Sequence, residues 1–349
     1  MRSERVRMFY VGLKLAACDT VVTRQPKRLA MLSLCVAASL VGLTQPAFSL
    51  AEQNMSEQRL PNSIRNAIVR VGGLILDEYG TGIVIKRKRD RQGTGGWLCV
   101  LTADHVLART SDEDRHWYIG FLDGDVPEYG ERDYRASIRI RHRDARGKRA
   151  DLAILGVYIP DFSRIPEIPD SIPIAAPIAE VHLVACGYGW HGTRQQRPNR
   201  YVVHDSFGTF RNGKNYWEDT NGATHTFTQH EITYEYSSIK FDLDFPDENR
   251  GEAHVLPGDS GGPSLQLSNG NWVLTGIHSS GSRLVDANNN GVEDDGDYAE
   301  EGHFSIDVRL IDYIEWINAS CNAVPEPFSL TALCTGLLGL AVCRRKQHV

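Results

Sequence analysis

Apolar residues in this chain fall into many short runs separated by turn-forming residues. Residues 83–85, 97–101 and 152–157 are three such runs. Runs of this length between turn signals are typical of buried strands. Asn269-Gly270 interrupts a later apolar segment and predicts a tight hairpin of the primed type. The pattern therefore predicts an all-β chain with little helix.

Two further patterns divide the chain. Five prolines crowd between residues 160 and 177, where central strands could not accommodate them, and they predict an interdomain connection. Apolar residues then recur at helical spacing near the end of the chain. These residues are Leu310, Ile311, Ile314 and Ile317. They predict a terminal helix at about 309–318, which we expect to pack on the second of two domains.

The run Gly258-Asp259-Ser260-Gly261-Gly262-Pro263 places a hydroxyl between glycines. Bare backbone would let a substrate carbonyl approach Ser260, with the N–H groups of Gly258 and Ser260 facing a developing oxyanion. His105 follows a buried strand and is the candidate general base, and Asp151 heads another strand as the candidate carboxylate. Each residue alone could be an ordinary turn or surface residue. Their order along the chain is that of the chymotrypsin triad.

The chain resembles the trypsin-like serine peptidases of the chymotrypsin fold over residues 68–318. Besides the triad, the resemblance rests on Gly187-Tyr188-Gly189, on Gly276-Ile277-His278-Ser279-Ser280-Gly281, and on the segment from Gly302 to Ile317. It implies two six-stranded antiparallel β-barrels of the chymotrypsin type with a C-terminal α-helix. The peptidase domain would span 67–320, with barrels at about 67–158 and 179–308, after a linker at 52–66. The triad would then lie in the cleft between the barrels.

The resemblance also implies the role of each site residue. His105 would act as general base toward Ser260 and later as general acid toward the leaving amine, and Asp151 would hold the useful tautomer of the imidazole. Ser279 would lie near the buried carboxylate, and its backbone would pair with the bound peptide. The implied activity is a secreted serine endopeptidase that works through an acyl-enzyme intermediate.

The residues around the expected pocket bear on substrate preference. Trypsin keeps an acid six residues before the nucleophile to select Lys or Arg, and this chain has His254 there. His278, with Ser279 and Gly281, lies in the strand that resembles the pocket-lining strand, where glutamyl endopeptidases place a histidine. The resemblance thus implies a preference for Glu or Asp before the cut bond. The alternative is that either histidine only satisfies a buried hydrogen bond.

The activation junction of trypsin, a basic residue followed by Ile-Val-Gly-Gly, is absent from this chain. Residues 68–73 read Ile-Val-Arg-Val-Gly-Gly, a loose resemblance only. In trypsin a freed amino terminus pairs with the aspartate that corresponds to Asp259. The opening of this domain is more similar to bacterial members that need no such cut.

Residues 286–297 resemble a calcium-binding loop. Asp286, Asn288, Asn290 and Gly291 stand at positions one, three, five and six, and the Val292 carbonyl, Asp294 and Asp297 at seven, nine and twelve. Position twelve normally holds a bidentate Glu, and flanking helices are not expected here. A structural calcium ion is therefore weighed against a solvated turn rich in Asn, Asp and Gly. No cofactor is required for the expected chemistry.

Residues 1–51 have the layout of a secretory signal. Lys27-Arg28 precede an apolar segment at 29–43, and small-x-small cleavage sites follow at 47–49 and 49–51. Signal peptidase is the expected partner. A short membrane anchor is the alternative, but about fifteen apolar residues is brief for a span that needs roughly twenty.

Residues 321–349 resemble a PEP-CTERM sorting signal. Val324-Pro325-Glu326-Pro327 leads into an apolar stretch at 328–343 and then into the basic Arg344-Arg345-Lys346. The resemblance implies transient insertion of this segment into the membrane, cutting by an exosortase, and export to the periplasm, cell envelope or exterior of a Gram-negative-type bacterium. A plain C-terminal anchor is the alternative, although the segment is short for a stable span.

Charge and cysteine usage exclude some functions and leave others open. The 349 residues carry a formal net charge of −6, which gives no electrostatic footprint for nucleic acid. One basic stretch partly alternates with apolar residues and predicts a half-buried strand with a solvated charged face. Its basic members are Arg139, Arg141, Arg143, Arg146, Lys148 and Arg149.

Cys99, Cys186 and Cys321 lie between the two end segments and allow one disulfide, without indicating the pair.

Two classes of function therefore remain. The first is the exported endopeptidase, acting on a protein or peptide substrate, and an esterase or amidase would carry the same triad. The second is a non-catalytic envelope protein that uses a peptidase fold as a calcium-dependent binding module. The intact set of His105, Asp151 and Ser260 favours the enzyme.

Overall fold

The first six strands of the chain form a closed antiparallel barrel in this computed structural model. They are β1 (Ile68–Gly73), β2 (Tyr79–Arg89), β3 (Gly96–Thr102), β4 (Trp117–Gly120), β5 (Asp133–Arg141) and β6 (Ala153–Ile159). Around the barrel they follow the order β1-β2-β3-β6-β5-β4. Ile83, Leu101 and Ile154 are among the fully buried side chains of its core, which is stabilised by the removal of apolar surface from water. The predicted first barrel is confirmed.

The structure describes residues 60–73, 79–108, 116–121, 133–196, 199–204, 207–244, 252–291 and 296–325. The predicted export signal at 1–51 and nearly all of the predicted sorting segment lie outside these ranges. Part of the expected linker at 52–66 is described: it forms the short helix α1 (Asn62–Asn66), whose Ile64 packs into the core. No helix within the described ranges has the length and apolarity needed to cross a membrane.

In the described ranges, ten further strands follow the proline-rich connection. They are β7 (Leu183–Gly187), β8 (His191–Gln196), β9 (Asn199–His204), β10 (Arg211–Asn215), β11 (Asp219–Gln229), β12 (Ile232–Asp242), β13 (Pro263–Ser268), β14 (Asn271–Gly281), β15 (Tyr298–Glu300) and β16 (Phe304–Arg309). Seven of them form an antiparallel sheet in the order β10-β7-β13-β14-β16-β12-β11, and β15-β9-β8 form a separate sheet. The chain is mostly β, as predicted. The hydrogen bonds of the described strands do not close a second barrel.

The two turn signals in the sequence have the expected structural effect. Between β6 and β7 the chain forms a 3-10 turn at Phe162–Arg164 and no strand, because proline cannot donate to a sheet ladder. Asn269 and Gly270 join β13 to β14 with φ values of 51° and 77°. Left-handed backbone at both central positions is the type I′ hairpin geometry that Asn-Gly favours.

A terminal helix packs on the first barrel. A 3-10 turn at Leu310–Tyr313 leads into α2 (Ile314–Ala323), which contacts β6. Ile317 and Cys321 lie one turn apart and are both buried. The expected position on the second domain is therefore wrong, and the helix runs past the predicted end at 318. The apolar spacing before residue 318 could not show that Cys321 and Val324 also lie on the buried face.

A disulfide holds this helix to the barrel. Cys99 in β3 bonds to Cys321 in α2, and Cys186 is a buried free thiol. The Lys88 ammonium donates to the Val324 carbonyl at 2.6 Å, just after the helix. Spacing could not predict the pair because Cys99 and Cys321 are 222 residues apart in sequence.

We expect the double variant Cys99→Ser/Cys321→Ser to lose about 2–4 kcal/mol of unfolding free energy, because the disulfide restricts the unfolded chain. Urea denaturation with and without reductant measures this. Reductant should lower the stability of the wild type to that of the variant and leave the variant unchanged. Cys186→Ala, which removes the other thiol of the described core, should retain the reductant effect. Equal stability of wild type and double variant in the absence of reductant would contradict the prediction.

Candidate active site

Strand pairing brings the predicted base and its carboxylate together. β3 pairs with β6 up to Thr102 opposite Ala153, so His105, just after β3, meets Asp151, just before β6. His105 Nδ1 lies 2.7 Å from Asp151 Oδ2, and the His105 backbone N–H donates to Oδ1 at 2.8 Å. Asp151 is fully buried and His105 is 7% exposed. A carboxylate held this way fixes the ring with its proton on Nδ1, which leaves Nε2 as the available base.

Two hydroxyl groups from the second domain extend this pair. The Ser279 hydroxyl donates to Asp151 Oδ2 at 2.5 Å, and the Tyr236 hydroxyl donates to Ser279 Oγ at 2.7 Å. Ser279 reaches the carboxylate from a register shift between His278 and Ser280 in the β14–β16 ladder. Burial raises the pKa of the Tyr236 hydroxyl, so it stays protonated as a donor. Ser279 thus lies where the resemblance implied, whereas Tyr236 had no signal in the sequence beyond the alternation of a half-buried strand.

The loop that carries Ser260 is held by its own backbone. The Asp259 N–H donates to the Leu256 carbonyl at 3.0 Å, and the Gly262 N–H donates to the Asp259 carbonyl at 2.8 Å. Gly261 has a φ of 83°, and a Cβ there would lie 2.2 Å from Thr102 Oγ1, so only glycine fits.

The N–H groups proposed as oxyanion donors remain available. Gly258 has a φ of 89°, and its carbonyl accepts the Thr81 hydroxyl at 3.0 Å. Neither its N–H nor that of Ser260 donates to any group in the described part of the chain. Two unpaired N–H groups on one tight loop, beside a hydroxyl, are what stabilisation of a tetrahedral oxyanion requires.

Ser260 and His105, the predicted nucleophile and base, line one cleft. His105, Gly258 and Ser260 border a cleft of about 990 Å³, together with Ser279 and Gly281. No hydrogen bond between the Ser260 hydroxyl and His105 Nε2 occurs among the described contacts. Such bonds are often long in peptidases without substrate and tighten when substrate binds. The structure therefore brings His105 and Ser260 to one cleft, and buried Asp151 is in direct contact with the His105 ring.

Asp259, next to the candidate nucleophile Ser260, is buried, and each of its carboxylate oxygens accepts a hydrogen bond. Its Oδ1 accepts the Gly189 N–H at 2.8 Å, and its Oδ2 accepts the Leu256 N–H at 3.0 Å. Burial raises the pKa of Asp259, and the two backbone donors and nearby cations oppose this shift. One of these cations is Arg211, which donates to the Gly189 carbonyl at 2.5 Å. Both oxygens of Asp259 thus already accept hydrogen bonds from groups inside the protein. Asp259 is the residue that corresponds, by the resemblance, to the aspartate that binds the freed amino terminus in trypsin.

The two histidines expected in the specificity pocket lie beneath the cleft surface. His278 is 1% exposed, and its Nδ1 lies 2.9 Å from Asp307 Oδ1. Burial lowers the pKa of His278, but the carboxylates of Asp307 and Asp259 and a hydrogen bond with the Cys186 backbone together outweigh this effect, and the net shift is upward. His254 is 5% exposed and shares a hydrogen bond of 3.0 Å with the Ser305 hydroxyl. Neither ring is among the residues that line the cleft, and the contact of His278 with an acidic substrate side chain stays a prediction.

The proposed calcium loop is only partly described. Val292 and Asp294 lie outside the described residues. Asp286 Oδ2 accepts the Gly291 N–H at 2.6 Å and Asn288 Oδ1 accepts the Asn290 N–H at 3.1 Å. Asp297 is fully buried, and its Oδ1 accepts the Ala287 N–H at 2.9 Å. These oxygens therefore close the loop through its own backbone, which is also the geometry of an Asx-rich turn.

Another acidic cluster lies elsewhere in the second domain. Asp242, Asp244 and Glu252 place ligand oxygens within 4.8 Å of one another, and they form the one set of at least three His, Cys, Asp or Glu donors found in the described ranges. Burial, with the neighbouring carboxylates, raises the pKa of Glu252 to about 7. Sequence spacing did not indicate this cluster, because Glu252 joins Asp244 only through hydrogen bonds between their two segments.

No family model matches the chain, and no curated protein sequence matches it. The interpretation of the site therefore depends on its geometry and on the motifs that it carries.

Buried His254 predicts a pH dependence of stability. Burial, with the nearby His303, lowers the pKa of His254 to about 3, far below the value of about 6.5 for an unfolded histidine. The folded state keeps this ring neutral while the unfolded state gains a proton, so its contribution is complete above about pH 6.5 and is lost as the pH falls toward 3. His254→Asn should flatten the decline of unfolding free energy between pH 6 and 4 by up to about 1.4 kcal/mol per pH unit.

Urea denaturation at each pH measures this slope. Ser305→Ala removes the hydrogen bond to His254 but keeps the titratable ring, so it should lower stability and retain the slope of the wild type. The same slope in His254→Asn and the wild type would contradict the assignment.

Proposed function

We propose that this protein is a secreted serine endopeptidase that resembles the trypsin-like family, with a second domain that corresponds to the second barrel of the chymotrypsin fold. The observation that carries the proposal is the buried His105–Asp151 pair, which shares one cleft with Ser260. The two unpaired N–H groups of the Ser260 loop support it further. These parts are among those that acyl transfer needs, and they support the proposal.

The catalytic steps follow from the positions of these groups. His105 Nε2 takes the Ser260 proton as the hydroxyl oxygen attacks the substrate carbonyl, and the Gly258 and Ser260 N–H groups bind the resulting oxyanion. Asp151 stabilises the imidazolium that forms. His105 then protonates the leaving amine, and a water molecule, activated by the same ring, releases the acyl group.

The edge of β14 offers a binding surface for an extended peptide. β13 pairs with β14 only as far as Ile277, so residues 279–281 have no partner strand on that edge in the described ladders. These residues also line the cleft. An extended substrate can add its backbone to such an edge, and this favours a peptide over a small ester. The esterase or amidase, which would use the same triad, and the calcium-dependent binding module remain the alternatives.

Reaction with a fluorophosphonate probe tests the function. The wild type should become covalently labelled, and Ser260→Ala should not, because the probe captures only an activated hydroxyl. His105→Ala should react at least about 100-fold more slowly, since the base is lost. Ser171→Ala, an exposed serine in the proline-rich connection, should label like the wild type. Labelling that persists in Ser260→Ala would reject the assigned nucleophile.

We further propose that the enzyme is active without a cut before Ile68. Asp259 already accepts two backbone N–H groups, so no freed amino terminus is needed to neutralise it. Protein with residues upstream of Ile68 intact, verified by intact-mass measurement, should hydrolyse a peptide at the rate of any shorter form. Activity that arises only after a cut that exposes Ile68 would overturn this.

Export is proposed on the terminal motifs and on the disulfide. The Cys99–Cys321 bond fits an oxidising compartment such as the periplasm or the exterior. Signal peptidase and an exosortase are the proposed processing partners, and the C-terminal segment would be in the membrane only transiently. Intact-mass analysis of the released protein should show no residues beyond Pro327. Released protein that keeps residues 328–349 would count against this processing.

A further inference from the structure

A buried carboxylate directly precedes the proposed general base. Asp104 is fully buried, and the 3-10 turn His105–Leu107 begins at the next residue. Arg141 Nε lies 2.9 Å from Asp104 Oδ1, and Arg149 Nη1 lies 3.9 Å from Oδ2. The basic stretch predicted as a solvated face therefore turns two of its arginines inward, where their side chains are 13% and 19% exposed.

Arg141 contacts both ends of the segment that carries the base. While its Nε faces Asp104, its Nη2 donates to the Leu107 carbonyl at 2.7 Å. The Arg141 guanidinium thus makes an ion pair with the residue before His105 and a hydrogen bond to the last residue of the turn. A guanidinium fixes such a geometry because its donors are rigidly arranged, whereas a lysine ammonium is a single point charge.

Arg149 extends the contact to the segment that carries Asp151. It lies two residues before Asp151, and its carbonyl accepts the Glu235 N–H of β12 at 2.8 Å. Asp104 therefore faces groups from the His105 turn, from β5, from the Asp151 segment and from β12. The charged and titratable groups that face it are Arg141, Arg149, Asp151, His105 and Tyr234.

Stability alone does not account for this arrangement. Burying a carboxylate costs several kcal/mol, and an apolar pair of similar volume would fill the space at no greater cost. Burial raises the pKa of Asp104 to about 6, even though Arg141 and Arg149 favour its charged form. Keeping the Asp104–Arg141 pair ionised therefore costs stability, and the pair lies directly beside the proposed general base.

We propose that Asp104 and Arg141 are positioning residues that hold His105 in line with Ser260, an inference that rests on the proposed function. Neither touches the substrate. Asp104 anchors Arg141, and Arg141 fixes the turn from which the imidazole extends. Below about pH 6 Asp104 gains a proton, the ion pair with Arg141 weakens, and the alignment of His105 is lost.

Arg141→Lys and Asp104→Asn test the proposal with a peptide substrate. Lysine keeps the charge but cannot contact Asp104 and the Leu107 carbonyl together, and asparagine keeps the shape but removes the charge. Each should lower kcat by roughly 10- to 100-fold, as small misplacements do, with KM within about twofold. The fall of kcat toward acidic pH should be less steep in Asp104→Asn than in the wild type, because the variant lacks the Asp104 titration. Arg143→Lys, an exposed arginine nearby, should behave as wild type.

The double variant Asp104→Asn/Arg141→Gln separates positioning from stability. It removes both charges, so its melting temperature should recover relative to Asp104→Asn, while kcat should stay low. Recovery of kcat together with stability would show that the pair is only structural. Unchanged kcat and an unchanged acidic limb in Asp104→Asn would likewise overturn the proposal.

A readout that needs no turnover keeps this test separate from that of the function. The His105 Nδ1–H donated to Asp151 should give a downfield proton resonance in the wild type. Arg141→Lys should broaden or remove it while the methyl spectrum stays that of the folded protein. If the wild type hydrolyses nothing but this change is seen, the proposed function fails and the positioning role stands. A resonance unchanged in Arg141→Lys rejects the positioning role, whatever the activity.

Discussion

The Asp151 carboxylate is fully buried and accepts three hydrogen bonds, from the His105 backbone N–H, the His105 ring and the Ser279 hydroxyl. A carboxylate removed from water is costly unless such donors surround it. Two of the donors come from the first barrel and the third from β14 of the second domain. The charge can therefore be buried only when both parts of the fold are in place, which makes the site a product of their association.

The same dependence joins other parts of the interface. Tyr236 in β12 donates to Ser279, and the Ser260 carbonyl accepts the Thr81 N–H of the first barrel at 2.8 Å. Phe227 in β11 meets the His105 ring edge-on, with ring centres 6.0 Å apart. A buried network of this kind strengthens each of its hydrogen bonds, but loss of one member leaves polar groups without partners. The position of the His105 ring therefore depends on how closely the first barrel and the second domain pack against each other.

The sequence permits accurate prediction of features that depend on local chemistry. Asn269-Gly270 has one favourable turn geometry, so the hairpin could be predicted. The apolar runs of β2, β3 and β6 predicted buried strands, and the resemblance to the chymotrypsin fold implied their closure into the first barrel. His105, Asp151 and Ser260 could be named because the chemistry demands these residue types in small, glycine-rich surroundings.

Features that depend on pairing across the fold could not be found in this way. The alternation of β5 allowed Arg141 to face either solvent or the core, and only the position of Asp104 decides between them. His278 stands in the expected strand, but its direction depends on Asp307, 29 residues later. The Cys99–Cys321 pair, the contact of Tyr236 with Ser279 and the strand order of the second sheet likewise depend on contacts between distant segments, which spacing along the chain does not encode.

The position of the Cys99–Cys321 bond has a mechanical consequence. Cys321 lies in α2, four residues before Pro325. The bond joins α2 to β3, which is hydrogen-bonded to both β2 and β6. A pulling force on the tail of the protein would therefore bypass most of α2 and load β3 along its length, against the ladders on both sides. Strands loaded in shear must break many hydrogen bonds at once, whereas a helix at a free end unravels turn by turn. The covalent bond thus transmits such a force directly to the barrel instead of to the helix.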